Sequence, residues 1–364
     1  MNQRRCDEND YIEFLLAAQT AFGCVEASNS QPERLKNAAH DAYTRLLTRR
    51  PLDTEALWDE AQKVMGGVPT SGLLILDDST LDKPYSQKIE LVSRHWSGKH
   101  HRVVCGINLL SLVWTQVHSN SSDSSNSSNS SNSSNSSNSN KVPMPPVVPL
   151  DFRVYDVNAD ANGQHYTKND HFRAMVSAAK KRDLKPDYVA FDSWYAGLDN
   201  LKHLKKEQLH FLTRLKSNRQ VNPDKSGLVE VSTLTVPSEG LVVQLRGFGL
   251  VRLFQKQDAE GQIEHWATSD TQMSRDTFDL TAKACWRIET YHRGLKQCCG
   301  VERAQVRSAT GQKNHLLLAL RAFLRLEAHR LQTGLSWYAA KLSLVREAIR
   351  LARSQATWTL SPTA

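Results

Sequence analysis

Leu73-Leu74-Ile75-Leu76 is an unbroken apolar run, entered from the turn-rich Gly66-Gly67-Val68-Pro69-Thr70-Ser71-Gly72 and closed by Asp77-Asp78-Ser79-Thr80. A run so short and continuous keeps no polar side for water, so it reads as a strand buried on both faces, inside a sheet. Such a sheet needs helices over both faces. The following chain supplies the alternation: strands over 103–114 and 150–155, then a helix over 171–181 capped by Asn169 or Asp170. The strand Tyr188-Val189-Ala190-Phe191 runs into Asp192 and is followed by a helix over 198–207 and a strand over 210–215. The spacing predicts an α/β (mixed) fold.

Four flanking regions complete the plan. Residues 1–66 predict helices over 11–26, 32–49 and 54–65, with Pro32 opening the second and Asp53 capping the third. They suit a small DNA-end-binding module or a packing cap. Residues 67–216 form the first part of the core, interrupted at 119–140 by Ser-Ser-Asn triplets broken only by Asp123. That tract has nothing to bury and cannot offset an ordering cost of roughly 1–2 kcal/mol per residue, so a solvated loop is expected. Residues 217–275 read as a β-rich insertion. The helical period returns over 276–333, which completes the core, and continues in a tail over 334–364.

At 364 residues, 40% hydrophobic and 23% charged, the chain has ample material for a core. No apolar run approaches the roughly 18 residues of a membrane span, and the basic start has no hydrophobic stretch behind it, so a cytoplasmic protein without a membrane partner is expected. Six cysteines lack zinc-site spacing and read as reduced thiols. The net charge is +8, yet residues 283–353 alone hold 14 basic residues against 4 acidic ones, an excess of ten. A cationic helical surface of that kind points to a polyanion, DNA. The segment 83–102, with Lys83, Lys88, Arg94, Lys99 and Arg102, is a lesser place to track phosphates.

Glu289 stands out within Trp286-Arg287-Ile288-Glu289-Thr290-Tyr291-His292-Arg293-Gly294-Leu295-Lys296 as an acid on a basic helix. Helical geometry sets Trp286, Arg293 and Lys296 on its face. Its simplest role is an i,i+4 pair with Arg293, worth a few tenths of a kcal/mol. Asp78 and Asp192, each at a strand end, change that assessment. Three carboxylates converging from separate elements repel unless a proton or cation neutralises them. Hard oxygen donors favour Mg2+, and two such ions roughly 4 Å apart support in-line attack on a phosphodiester. Asp77 is the alternative to Asp78, because alternation turns only one of the two into the site. No nucleophilic triad, P-loop or dinucleotide fingerprint competes.

The stretches Leu74-Ile75-Leu76-Asp77-Asp78-Ser79-Thr80, Phe191-Asp192-Ser193-Trp194-Tyr195 and Trp286-Arg287-Ile288-Glu289, with Lys296, resemble the DDE transposases of bacterial insertion sequences. The resemblance spans about residues 73–329. It implies a ribonuclease H-like core with a β-rich insertion before its last helix, and it matches Asp78, Asp192 and Glu289 to the three catalytic, metal-holding acids. It also implies a Tyr-x2-Arg-x3-Glu-x6-Lys phosphate clamp, of which Glu289 and Lys296 keep their spacing while Ala282 and Cys285 replace the tyrosine and arginine. Arg287, Arg293 and Tyr291 are the substitutes at hand. Trp266 and Trp286 fall where similar transposases handle a flipped base.

The expected function is therefore a Mg2+-dependent transposase, Mn2+ substituting, that cleaves terminal inverted repeats and joins 3′-hydroxyl ends to target DNA as a homodimer on DNA. The alternatives are a former transposase retained as a DNA-binding protein and a nuclease that joins nothing.

Overall fold

Leu73, Leu74, Ile75 and Leu76 are all buried, and the strand they begin, β1 (Leu73–Asp82), lies inside one sheet as the apolar run requires. The computed structural model describes residues 5–20, 22–32, 38–97, 101–117, 144–158, 163–257 and 260–354. Before β1 come α1 (Glu8–Ala17), α2 (Cys24–Asn29), α3 (His40–Thr48) and α4 (Glu55–Met65). After it run β2 (Ser93–Ser97), β3 (Arg102–Thr115), β4 (Val147–Tyr155), α5 (Lys168–Lys181), β5 (Tyr188–Phe191), α6 (Leu198–Lys206) and β6 (Phe211–Leu215).

β3 is antiparallel to β1, β4 is antiparallel to β3, and β5 and β6 continue parallel on the other side of β1. The central order β4-β3-β1-β5-β6 with those senses is the ribonuclease H-like arrangement. Residues 119–140 lie outside the described residues. Their flanks do not: Thr115 pairs with Val147 and Trp114 with Val148, so the intervening segment joins adjacent strand ends. Long insertions there add little closure cost.

The β-rich segment comprises β7 (Gln220–Asn222), β8 (Val229–Glu230), β9 (Leu241–Leu245), β10 (Gly249–Gln257) and β11 (Ile263–Thr268). Instead of forming a separate layer, it extends the core sheet, because β11 pairs antiparallel with β6. A small apolar cluster of Leu212, Phe254, Trp266, Met273, Phe278 and Ala282 seals this extension beneath α7 (Arg275–Cys285). The chain then runs through α8 (Arg287–Cys298), α9 (Ala309–Thr333) and α10 (Trp337–Ser354).

α9 is the central pillar. Its leucines Leu316, Leu317, Leu318, Leu320 and Leu324 are at most 1% exposed, each contributing roughly 1.5–3 kcal/mol of burial. The N-terminal helices pack on it through polar locks: Tyr11 Oη lies 3.0 Å from His315 Nδ1, Asn314 Nδ2 donates to the carbonyls of Leu47 and Arg50, and Arg321 pairs with Glu8 and Glu60.

Local details depart from the sequence expectations. The helix expected over 11–26 is divided between α1 and α2, and the cap of α5 is Thr167, reciprocated by Asp170 three residues on. Among the described residues, no helix is long and apolar enough to cross a membrane.

Candidate active site

The ladder between β1 and β5 runs Leu73 opposite Tyr188 to Leu76 opposite Phe191. Asp192 keeps an extended backbone, φ −78° and ψ 173°, so one further step sets Asp77 opposite Asp192. Residues opposite one another on paired strands share a face. Asp77 also pairs across β3 with Ser111, whose hydroxyl lies 3.5 Å from Tyr291 Oη on α8, and its carboxylate is 3.9 Å from His292 Nδ1 on the same helix. Asp77 therefore looks toward α8.

Asp78 looks the other way. Its Oδ2 accepts from Lys168 Nζ at 2.7 Å and Asn108 Nδ2 at 2.6 Å, and its Oδ1 accepts from Tyr195 Oη at 2.6 Å. The Lys168 ammonium also lies 5.3 Å from the ring of Trp194. Burial opposes the charge on Asp78, but Lys168 and the hydrogen bonds from Tyr195 and Asn108 outweigh it and hold the carboxyl below the usual range.

The opposite holds for Asp77. Burial, then the charges of Asp78, Asp192 and Glu289, push it well above the ordinary carboxylate range. His292 brings no compensating charge, since burial and then the nearby Lys296 push its imidazole down to about 3. Its Nε2 is buried without a partner. Asp192 caps the short turn Ser193–Tyr195 by accepting from the amides of Trp194 and Tyr195, and desolvation, with Asp78, raises it.

Glu289 is exposed on α8, three positions before His292, and so on the helical face that meets Asp77. It forms no ion pair with Arg293 or any other described residue, so the surface pair that would explain it away is not made. The donor set of Asp77, Asp192 and Glu289 is all hard oxygen with no cationic side chain to balance Asp77, which fits a divalent cation. As they stand, no three His, Cys, Asp or Glu side chains among the described residues converge at ligand spacing.

The remaining expected contacts separate by exposure. Trp286, at the junction of α7 and α8, is 63% exposed, and Arg293 is exposed. Trp266 is 6% exposed: its ring packs edge-on to Phe278 and its Nε1 donates to Glu264, so it belongs to the core of the insertion. Tyr291 is fully buried against Phe323. Arg287 is latched to Thr115 Oγ1 and the Gln116 carbonyl. Lys296 donates to the Thr80 carbonyl at 2.8 Å and pairs with Glu302 at 2.9 Å. These last four make contacts within the protein, whereas Trp286 and Arg293 are open to solvent.

Asn108, Tyr195 and Lys168 meet at Asp78 without having been singled out in the sequence. Only Asn108 leaves a signal, an amide inside the apolar run Ile107-Asn108-Leu109-Leu110.

Two family models match the chain: a transposase DDE domain over residues 152–325 and a DDE superfamily endonuclease over residues 13–233, the latter more than half of the chain. The first takes in Asp192 and Glu289, the second Asp77, Asp78 and Asp192. No curated protein matches.

Proposed function

The chain belongs to the DDE superfamily of endonucleases, an enzyme of the transposase type, and from that premise we propose that it cuts DNA at the ends of a mobile element and joins the freed 3′-hydroxyls to target DNA. Asp77, Asp192 and Glu289 are the acids assigned to this chemistry. The observation that carries the assignment is the β1–β5 register, which sets Asp77 on one face with Asp192, toward the helix bearing Glu289.

These three carboxylates would hold Mg2+, most simply two ions, with Mn2+ able to substitute. Ions held there would supply activation of a water or 3′-hydroxyl and charge stabilisation of the leaving oxygen. The protein's own residues do the rest. Asp78, neutralised by Lys168 and tied to Tyr195 and Asn108, fixes β1 against α5 and so fixes the aim of Asp77. The amides of Trp194 and Tyr195 orient Asp192. Trp286, exposed one turn before Glu289, offers an indole face to an unstacked base, worth roughly 1–3 kcal/mol. Arg293 adds positive charge on the same helix.

Joining two element ends requires two active sites, so a homodimer on DNA is part of the proposal. The substrates would be terminal inverted repeats and a target duplex. Six free thiols suit a reducing cytoplasm.

The test is incubation of the full chain with a duplex carrying the element's ends and flanking DNA, with Mg2+ and a target plasmid. The expected result is Mg2+-dependent cleavage followed by covalently joined target products. Cleavage without joining would leave a nuclease, and binding without cleavage a DNA-binding protein; either outcome rejects the proposal.

A further inference from the structure

A cavity of about 620 Å³ lies between the loop leaving β1 and the loop joining α8 to α9. Its walls are tied together by hydrogen bonds. Lys83 Nζ donates to the carbonyls of Glu302 and Ala304, each at 2.7 Å, the Glu90 amide donates to the Arg307 carbonyl, and the Glu90 carboxylate accepts from the Ala309 amide. Lys296 joins the same two elements through Thr80 and Glu302, and in doing so neutralises Glu302. So many bonds between two surface loops give a preformed cleft.

Its lining carries four basic side chains, Lys83, Lys88, Arg303 and Arg307, against two acidic ones, Asp82 and Glu302, together with one aromatic side chain. Lys88, Arg303 and Arg307 are exposed, and none forms an ion pair among the described residues. Tyr85, also in the lining, is 94% exposed, so its ring is free to stack on a ligand. Three unpaired cations beside a free aromatic face match a phosphate attached to a planar base. The volume falls within the roughly 300–1,000 Å³ typical of small-ligand sites. The cleft begins five residues beyond Asp77 on β1, about 16 Å along an extended strand.

We propose that this cleft holds one nucleotide of an unpaired DNA strand that continues past the carboxylates, its phosphate on Lys88, Arg303 and Arg307 and its base on Tyr85. The inference rests on the DNA reading above, which supplies the strand. A ring so fully exposed offers both faces only to a base that has left its duplex, so the site discriminates an unpaired extension from a blunt end.

Binding is measured by fluorescence anisotropy with two labelled probes, a blunt duplex and the same duplex with a five-nucleotide single-stranded extension, across a salt series. Tyr85→Ala is expected to weaken binding of the extended probe about tenfold while leaving the blunt probe unchanged. Arg303→Ala/Arg307→Ala is expected to lower the slope of log K against log salt by about 1.5 on the extended probe. All these side chains are exposed, so both variants should melt with the wild type; if the double variant fails to fold, Lys88→Ala takes its place. Unchanged affinity and slope on the extended probe, with the wild type still cutting DNA, overturn the subsite and leave the function intact. Equal losses on both probes assign these residues to general duplex binding and also overturn it. A wild type that binds neither probe removes the DNA reading itself.

Discussion

Replacing Asp77 with Asn is expected to lower the rate of DNA cleavage by about a thousandfold, a loss of about 4 kcal/mol of transition-state stabilisation, without unfolding the protein. The substitution keeps the shape of the side chain and removes the charge that a divalent cation would need. It also relieves the repulsion among Asp77, Asp78, Asp192 and Glu289, so stability should hold or rise slightly. Asp78→Asn is the informative contrast. It breaks the pair with Lys168 and weakens the bond from Tyr195, so the expected effect is that of disturbing an outer support, about 10- to 100-fold in activity. Single-turnover cleavage by the two variants on one DNA substrate gives the comparison, and an inactive Asp78→Asn beside an active Asp77→Asn would reverse the assignment.

The second large effect concerns stability alone. Glu327 on α9 is completely buried and accepts four hydrogen bonds: from the Val147 amide on β4, from Trp337 Nε1 on α10, and two from the Arg330 guanidinium. Arg330 in turn donates to the carbonyls of Met144 and Pro145. One carboxylate thus ties a strand edge to two helices. Glu327→Ala would strand a nearly buried guanidinium and two N–H groups, a loss expected to be about 3–5 kcal/mol. The urea midpoint should fall by roughly 1 M or more. Cleavage per folded molecule should be unaffected, because Glu327 does not belong to the carboxylate cluster. A midpoint within error of the wild type would mean that these bonds contribute nothing net.

Much of the fold follows from short-range signals. The four apolar residues before Asp77 required a buried strand, and the Tyr188–Phe191 run required a second one ending at Asp192. The isolated acid on a basic helix drew attention to Glu289. The β-segments between 217 and 275 were legible from alternation and turns, but their joining to β6 was not, because nothing in those residues names a partner strand.

The choice between Asp77 and Asp78 shows where sequence stops. Alternation requires that the two face opposite ways, and the motif match favours Asp78. Which face is the site depends on the parallel register with β5, fixed by contacts more than a hundred residues away. Trp266 and Trp286 make the same point. Both are tryptophans near the end of the insertion, yet α7 covers one and leaves the other open. Lys168, Asn108 and Tyr195 meet at Asp78 from three separate elements, a convergence without any local spacing. The packing of the N-terminal helices on α9, through Asn314 and Arg321, likewise has no local signal in residues 1–66.

Anomalous diffraction from crystals of the full chain bound to element-end DNA and soaked in Mn2+ tests the central assignment most directly. The expected map has a manganese peak about 2 Å from carboxylate oxygens of Asp77 and Asp192, within reach of Glu289. A peak coordinated by Asp78 with Asp77 unligated, or no peak among these side chains, would contradict it.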